Sequence, residues 1–473
     1  MKKRLFFLLC FGLFAIWPAI AQQKAKYVFY FIGDGMGVNQ VNGTETYLAA
    51  LEDRIGIEPI CFAQFPVTGL VTTFSGTNGV TDSAAGGTAL ATGQKTKNGA
   101  LGLTTDLSAR INSVAAWAKA EGKAVGVATS VSVDHATPGA FYAHVEDRNM
   151  YHRIGKDLIE AGYDFYAGSD FLQPEDKAQS GDKDLYTQCG EAGYTLARGY
   201  ADYRRKAAGA GRIILLQSEA ASRKDRGCLP YAIDREKNDL TLPDITRAGI
   251  HFLMSKNTDG FFLMVEGGKI DWACHSNDAA TVFKEVIDMD NAVKVAYEFY
   301  AQHPDETLIV VTADHETGGI ALGTGKYELH TDVLKYQQQS AGAFSKMIAE
   351  QHQKQGKKFT WEFVHKLLQN NFGFWKHIPL DDHETAMLKK AYEDFCDGVA
   401  KDTKTLYQSE NVIAGTARKL INKKAMVGWQ SGGHSNGYVP VFAIGAGAEQ
   451  FCGRIDNTEI PKRIARIAGY SEM

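Results

Sequence analysis

The sequence lacks any excess of positive charge. Its 473 residues include 51 lysines and arginines against 55 aspartates and glutamates, a formal net charge of −4. Because a nucleic-acid backbone is bound by basic surface, this balance argues against nucleic acid as a bulk partner. The chain also lacks internal repeats and low-complexity tracts, and its 44% hydrophobic content is that of an ordinary globular protein.

Cysteine is scarce and never closely spaced. None of the seven cysteines forms a CxxC motif, and their wide spacing excludes a zinc ribbon. A zinc site built from thiolates is therefore not expected. Six cysteines lie beyond the N-terminal segment that contains Cys10. In an oxidising compartment Cys189 and Cys228 could pair, but six cysteines permit fifteen connectivities and the sequence selects none of them. Those six are Cys61, Cys189, Cys228, Cys274, Cys396 and Cys452.

The N-terminus has the make-up of a targeting segment. Residues 1–4 are basic, residues 5–16 are apolar, and residues 19–21 form a small-x-small cleavage pattern. This order predicts a signal peptide at residues 1–21 and hence a periplasmic or secreted protein. The apolar run is too short for a transmembrane helix, so no membrane span is expected after cleavage. Cleavage removes three positive charges and shifts the formal net charge from −4 to −7.

Apolar, β-rich runs alternate with helical segments along most of the chain. Between residues 278 and 302 apolar side chains recur at helical spacing, which predicts a packed helix. The alternation predicts an α/β fold with three layers, α/β/α, around a large and mostly parallel central sheet. From residue 323 to 428 the composition becomes helical and charged, so an inserted helical subdomain is expected there. The predicted strands cover residues 26–32, 123–129, 212–216, 260–265 and 307–312.

Side chains suited to metal ions follow several of the predicted strands. Catalytic and binding groups of α/β sheets lie at the carboxyl ends of strands. Asp271 and His275 are four residues apart, so on a helical turn they share a face and can hold one cation. Each motif alone could be a turn, a helix cap or a solvated face, but together they predict a metal site. The full set is Asp34, Glu266, Asp271, His275, Asp314, His315 and His434.

The ligand types indicate which ions are expected. Histidines together with carboxylates suit Zn²⁺, whereas an all-oxygen set containing Glu266 and a hydroxyl suits Mg²⁺.

The segment around Ser83 combines a hydroxyl with a preceding acid and a run of small residues. Small residues allow another group to approach Ser83, and the helix predicted after it would direct backbone N–H donors at an anion. The segment could instead be an ordinary helix N-cap, for which Asp82 and Ser83 are common residues. Further along, Arg148 could bind two oxygens of a phosphoryl group, or it could form a surface salt bridge.

These motifs together resemble the alkaline phosphatase family. The resemblance is carried by GDGMG at residues 33–37, TDSAA at 81–85, VEGG at 265–268 and TADH at 312–315. It extends over residues 27–320 and resumes at 428–447. It implies one catalytic domain over residues 22–473, interrupted by the helical insert at about 323–428. The insert could cover the site or contribute to the interface of a homodimer, and the resemblance does not decide between them.

The resemblance also implies a role for each candidate residue. Ser83 is the expected nucleophile, forming a covalent phosphoserine, and Arg148 is expected to hold the phosphoryl oxygens, with Asp82 orienting it. Two Zn²⁺ and one Mg²⁺ per chain are implied. The implied ligands are Asp271, His275 and His434 for the first zinc, Asp34, Asp314 and His315 for the second, and Glu266, Thr137 and the shared Asp34 for magnesium. The expected substrates are small-molecule phosphate monoesters of broad range, consistent with phosphate scavenging.

Two positions depart from some bacterial members of the family. His135 stands where those enzymes have an aspartate near the magnesium, and Trp272 stands where they have a lysine. Altered magnesium retention and phosphate release are therefore expected, in a direction that the sequence does not fix.

Three alternative functions agree less well with these motifs. A sulfatase of the same superfamily would carry a Cys/Ser-x-Pro-x-Arg motif, but Ser83 is followed by Ala84 and Ala85. A phosphodiesterase of this fold usually has a threonine nucleophile and lacks the magnesium glutamate, whereas Glu266 is present. A secreted protein that only binds metal or phosphate would not need a positioned serine. The sequence thus favours the monoesterase.

Overall fold

The computed structural model describes residues 24–176, 183–257 and 259–473. The predicted signal peptide at residues 1–21 lies outside the described residues. The strands in chain order are β1 (Tyr27–Ile32), β2 (Val67–Thr72), β3 (Ala124–Thr129), β4 (Phe165–Gly168), β5 (Tyr194–Arg198), β6 (Arg212–Leu216), β7 (Phe261–Glu266), β8 (Thr307–Thr312), β9 (Glu316–Thr317), β10 (Ile320–Leu322), β11 (Thr403–Lys404), β12 (Ser409–Glu410), β13 (Val427–Trp429), β14 (His434–Ser435), β15 (Val439–Gly445) and β16 (Gly453–Asp456).

The helices are also numbered in chain order. The α-helices are α1 (Val38–Leu51), α2 (Ser83–Thr92), α3 (Val114–Ala120), α4 (Ala136–Gly139), α5 (Tyr151–Ala161), α6 (Leu185–Glu191), α7 (Tyr200–Lys206), α8 (Glu219–Lys224), α9 (Leu242–Lys256), α10 (Lys269–His275), α11 (Ala279–Tyr300), α12 (Ala341–Gln355), α13 (Trp361–Phe372), α14 (Asp382–Cys396), α15 (Val412–Lys424) and α16 (Glu459–Ala468). Short 3-10 helices cover Phe62–Gln64, Ala207–Gly209, Thr331–Tyr336, Gly356–Lys358 and Ala448–Phe451.

A ten-stranded sheet forms the centre of the molecule. Its order is β16-β2-β15-β8-β1-β7-β3-β4-β6-β5. All neighbouring strands are parallel except at β15, which is antiparallel to both β2 and β8. The predicted large and mostly parallel sheet is therefore confirmed, and all five strands that the sequence predicts belong to it.

Helices cover both faces of the sheet. Neighbouring residues of β1 show this, because their side chains point to opposite faces. The Phe29 ring lies 5.6 Å from Phe299 of α11, measured between centroids, whereas the Tyr30 hydroxyl donates to the Leu90 carbonyl of α2. Every residue of β1 is buried, and each buried aromatic contributes roughly 1.5–3 kcal/mol to stability. The three-layer α/β/α architecture is confirmed.

The register of the central strands aligns their carboxyl ends. Ile32, the last residue of β1, pairs with Glu266 of β7 on one side and with Thr312 of β8 on the other. Thr129, the last residue of β3, also pairs with Glu266. The loops that follow β1, β3, β7 and β8 therefore meet at one edge of the sheet.

The segment predicted as an insert leaves and returns at one two-stranded ribbon. β10 pairs antiparallel with β13, so that Ile320 lies opposite Trp429. Between them lie α12 to α15 and a short hairpin formed by β11 and β12. The domain boundaries at about 323 and 428 remain a prediction.

Two further features concern the apolar character of the helices and the state of the cysteines. Within the described ranges, no helix has both the length and the apolar character needed to span a membrane. All six cysteines in these ranges have free thiols, so Cys189 and Cys228 are not paired with each other.

Candidate active site

Ser83 is the first residue of α2. Asp82 is the N-cap, and its carboxylate accepts a hydrogen bond from the Ala85 amide at 3.0 Å. The capping role therefore belongs to Asp82 and leaves the Ser83 hydroxyl free for another partner. That hydroxyl lies 3.2 Å from Nε2 of His315 and is buried.

The glycines after Ser83 allow α2 to pack closely against the strand-end loops. A Cβ atom at Gly86 would lie only 2.9 Å from the Asp314 carbonyl oxygen. A Cβ atom at Gly87 would lie 3.3 Å from Cα of Thr137. Any larger residue at Gly86 would move Ser83 away from the loop that carries Asp314.

The first metal-type cluster consists of Asp271, His275 and His434, whose ligand atoms all lie within 4.8 Å of one another. His275 Nε2 is 3.2 Å from one Asp271 oxygen, and His434 Nε2 is 3.7 Å from the other. The remaining ring nitrogens bond backbone carbonyls, those of Gly432 at 2.6 Å and Thr81 at 2.8 Å. Both imidazoles are thus oriented with Nε2 toward the cluster.

The second cluster consists of Asp34, Asp314 and His315. His315 Nε2 lies 3.3 Å from Oδ1 of Asp34 and 3.4 Å from Oδ2 of Asp314. All three residues have no exposed surface. Because the same Nε2 atom is also the neighbour of the Ser83 hydroxyl, this cluster and the serine form one unit.

The third cluster shares Asp34 with the second. Ligand atoms of Asp34, His135 and Glu266 lie within 4.8 Å of one another. Thr129 donates a hydrogen bond to Oε2 of Glu266, and the Thr137 side chain also faces this carboxylate. The structure thus brings His135, which was expected only near the magnesium ligands, within ligand distance of them.

The donor atoms of these clusters fit metal ions. Several carboxylate oxygens are buried and accept no hydrogen bond within the described part of the chain, although imidazole nitrogens of His275 and His315 lie 3.2–3.4 Å from three of them. They are both oxygens of Asp34, Oε1 of Glu266, Oδ2 of Asp271 and Oδ2 of Asp314. Buried carboxylates without partners are strongly destabilising unless a cation or proton compensates them. Histidine nitrogens in the first two clusters suit Zn²⁺, whereas the carboxylates and hydroxyl of the third also suit Mg²⁺.

Electrostatics distinguish the clusters. Burial raises the pKa of Asp34 and of Asp314 well above the usual range, and the carboxylate of Asp271 raises both further. Burial also raises the pKa of Asp271, but His275 and His434 outweigh it and hold that pKa below its usual value. Burial lowers the pKa of His315, so this imidazole is neutral and can offer a lone pair.

The guanidinium of Arg148 is oriented by contacts with Asp82 and His135. Its Nη1 donates to Oδ2 of Asp82 at 3.2 Å, and its Nη2 lies 3.4 Å from Nε2 of His135. The Gly99 amide donates to the same Asp82 oxygen at 3.1 Å. Asp82 thus connects the start of α2 to Arg148, and the surface salt bridge considered from sequence is instead an ion pair within the site.

Trp272 lies on α10 between Asp271 and His275. Its ring is stacked on Tyr407 at 4.1 Å between centroids and 6° between planes, and it meets His135 edge-on at 6.1 Å. Its indole N–H is buried and has no partner among the described residues.

Three residues in contact with these clusters are missing from the sequence prediction. The Thr317 hydroxyl lies 2.6 Å from Oδ1 of Asp271 and 3.2 Å from Nδ1 of His315, so it connects the first two clusters. Thr129 ends a strand, as the predicted ligands do, and this position could have indicated it. Tyr407 lies in the insert, where no motif signals it.

Fold and site together define an α/β protein with three metal-type clusters grouped around a buried serine. The alkaline phosphatase family model matches residues 25–166 and 224–470. Alkaline phosphatase 3 of Bacillus subtilis (strain 168) is 33% identical over 455 residues, which cover 95% of this chain and 90% of that protein. The chain therefore belongs to the alkaline phosphatase family.

Solved structures agree with this assignment. A cold-active alkaline phosphatase from the psychrophile Shewanella sp. has a TM-score of 0.76 at 29% identity, covering 93% of this chain and 99% of that one. A mutant alkaline phosphatase of TAB5, an Antarctic bacterium, has a TM-score of 0.66 at 25% identity, covering 95% and 100%. Its histidine is replaced by glutamate and Mg is bound in its M3 site. The reaction of this family is the metal-dependent hydrolysis of phosphate monoesters.

Proposed function

We propose that the chain hydrolyses small phosphate monoesters through a phosphoserine at Ser83. The observation that carries the proposal is the position of the Ser83 hydroxyl, 3.2 Å from His315, in a cluster whose carboxylates include oxygens with no hydrogen-bond donor among the described residues. A serine hydroxyl is a weak nucleophile at neutral pH. A cation bound by the neighbouring carboxylates and His315 would activate it.

Ligand chemistry supports two Zn²⁺ ions and one Mg²⁺ ion per chain. The residues that would hold them are Asp271, His275 and His434 for the first zinc, Asp34, Asp314 and His315 for the second, and Asp34, Glu266 and Thr137 for magnesium. When bound, these ions would lower the pKa of the serine hydroxyl and stabilise charge on the attacking and leaving oxygens.

The residues of the chain account for the remaining steps. The Ser83 hydroxyl loses its proton and its oxygen attacks phosphorus, the bond from phosphorus to the ester oxygen breaks, and that oxygen takes up a proton and leaves as the alcohol. A water molecule then cleaves the phosphoserine, which regenerates Ser83 and releases inorganic phosphate. Arg148, oriented by Asp82, would bind two phosphoryl oxygens, and the N–H groups at the start of α2 would face the same charge.

His135 is the position at which magnesium binding is expected to differ between members. Burial lowers the pKa of this imidazole to about 3, so it is neutral and offers nitrogen where a carboxylate would offer a charged oxygen. Mg²⁺ prefers oxygen ligands. The TAB5 structure with Mg in its M3 site is of a histidine-to-glutamate mutant. We therefore expect weak magnesium retention here, and tighter retention in His135→Asp.

The family assignment does not favour the phosphodiesterase, the sulfatase or the non-catalytic binding protein. Two further parts of the proposal rest on sequence or analogy. Export to the periplasm or the medium rests on residues 1–21. Assembly as a homodimer rests on the length of the insert alone, and sedimentation equilibrium of the mature protein would test it.

The test is Ser83→Ala, compared with wild type and with Ser471→Ala at the exposed C-terminus. We expect Ser83→Ala to lower aryl phosphate turnover by about 10³-fold or more, because the covalent step is lost. Metal content, measured by elemental analysis, should equal that of wild type. Turnover by Ser83→Ala close to that of Ser471→Ala would overturn the proposal.

A further inference from the structure

One residue of the insert reaches the metal clusters from a short hairpin. Residues 403–410, here called the roof hairpin, consist of β11, a turn and β12. The Thr405 amide donates to the Gln408 carbonyl at 2.8 Å and closes the turn. This geometry places Leu406 and Tyr407 at the tip.

Hydrogen bonds fix the roof hairpin against the end of α10. The side-chain amide of Gln408 donates to the Ser276 hydroxyl, and the Thr405 hydroxyl lies 3.4 Å from the same oxygen. At the base, Glu410 accepts from Arg418 of α15 at 3.0 Å, and both side chains are buried. The hairpin is thus attached to the helix that carries Asp271 and His275, so its tip has a defined position.

The Tyr407 ring contacts three residues of the site. It is stacked flat on Trp272 at 4.1 Å, meets the His275 ring edge-on at 5.5 Å and lies 6.1 Å from His135. Its neighbour Leu406 points outward and is 64% exposed. The tip therefore divides into one side chain that faces the clusters and one that faces solvent.

The contact with His275 indicates which part of a substrate would meet Tyr407. Under the proposed function, on which this inference rests, Ser83 attacks phosphorus from the side of His315. An in-line displacement places the leaving alcohol opposite Ser83, and of the two zinc-type clusters the one that contains His275 is left to face that alcohol. A side chain packed against His275 therefore lies beside the alcohol portion of the substrate.

We propose that Tyr407 is a specificity-determining residue, whose ring binds the alcohol portion and favours flat aromatic alcohols over small alkyl alcohols. Stacked and edge-on ring pairs contribute beyond simple area burial, and a small alkyl group cannot form them. The insert would then act in substrate selection through a single residue.

The experiment compares phenyl phosphate with ethyl phosphate for wild type, Tyr407→Ala, Tyr407→Leu and Tyr407→Phe. We expect Tyr407→Ala and Tyr407→Leu to lower kcat/KM for phenyl phosphate about 5- to 10-fold, mainly through KM. Ethyl phosphate turnover and the inhibition constant of inorganic phosphate should change less than about 2-fold, and Tyr407→Phe should match wild type. Leu406→Ala is the matched control in the same hairpin.

Equal losses on both substrates, or a Tyr407→Phe variant that behaves like Tyr407→Ala, would overturn the inference and indicate a packing role. If Tyr407→Ala fails to fold, Tyr407→Leu keeps the apolar volume and decides alone. Metal content of each variant shows whether the clusters are intact. Failure of the proposed function would look different, because wild type would then hydrolyse neither ester.

Discussion

The two zinc-type clusters are built in different ways. The second cluster lies on the loops after β1 and β8, which are neighbouring strands paired in register from Tyr27 to Ile32. The first cluster combines one turn of α10 with His434, which is 159 residues away from His275 in sequence. The sheet therefore fixes one cluster directly, whereas the other depends on a helix and a distant loop.

Their surroundings differ accordingly. The side chains of Asp34, Asp314 and His315 have no exposed surface, whereas 12% of the His434 side chain is exposed. Burial also keeps the His315 imidazole uncharged, but the carboxylate of Asp271, working against burial, raises the pKa of His275. The second cluster, here called the buried cluster, therefore depends on a cation for charge balance. The first, here called the open cluster because part of His434 is exposed, is partly balanced by its own histidines.

The largest expected effect separates these clusters by mutation. Asp34→Asn alters a residue shared by the second and third clusters, so kcat/KM should fall by about 10⁴-fold or more, without recovery at high zinc. His434→Gln alters only the open cluster, so we expect a loss of about 10²-fold that excess zinc partly reverses. Steady-state kinetics across a zinc titration measures both, with His330→Gln, an exposed histidine, as control.

Recovery of Asp34→Asn at high zinc, or equal losses in the two variants, would contradict this difference. Circular dichroism of each variant shows whether the fold is retained.

Sequence reasoning succeeded where local rules place the side chain. Asp34 and Asp314 follow apolar strands, and parallel strands bring their carboxyl ends together. Asp271 and His275 are one helical turn apart, so their shared face follows from periodicity. A local pattern also predicted five strands, because each is a continuous apolar run: β1, β3, β6, β7 and β8.

The remaining features depend on contacts that no local pattern encodes. His434 reaches the site because β14 pairs with β9, a ribbon of only two residues per strand. The edge strand β16 and its neighbour β2 were missed because partly exposed residues interrupt their apolar pattern. Tyr407 depends on hydrogen bonds between the roof hairpin and Ser276, which are visible only in three dimensions.

A smaller effect is expected at the hydroxyl that joins the two clusters. Thr317 donates to Asp271, so it can accept from Nδ1–H of His315 and leave Nε2 free for a cation. Thr317→Val keeps the shape but loses both bonds, and should weaken zinc binding about 10- to 100-fold. Thr317→Ser, the matched control, should bind like wild type. Competition against a chromogenic chelator measures the affinity, and equal binding by both variants would refute the role.

The smallest expected effect is the pH dependence of stability without metal. Burial raises the pKa of Glu266 to about 7, and raises those of Asp34 and Asp314 as well. The folded state thus retains protons that the unfolded chain releases near pH 4, so the stability that these three carboxyls contribute is full below that pH and is lost as pH rises toward 7. The melting temperature of chelated protein should fall by several degrees, about 2–4 °C per kcal/mol, between pH 5 and 8.

Bound cations would compensate the carboxylates of the clusters, so the decline should be smaller in metal-loaded protein. Glu266→Gln cannot ionise and should flatten the decline of the chelated protein, whereas Glu219→Gln on the exposed start of α8 should not. Calorimetry of chelated and metal-loaded samples checks both statements. A chelated protein that becomes more stable from pH 5 to 8 would show that the buried carboxylates are balanced within the chain, and the contrast between the two clusters would then be wrong.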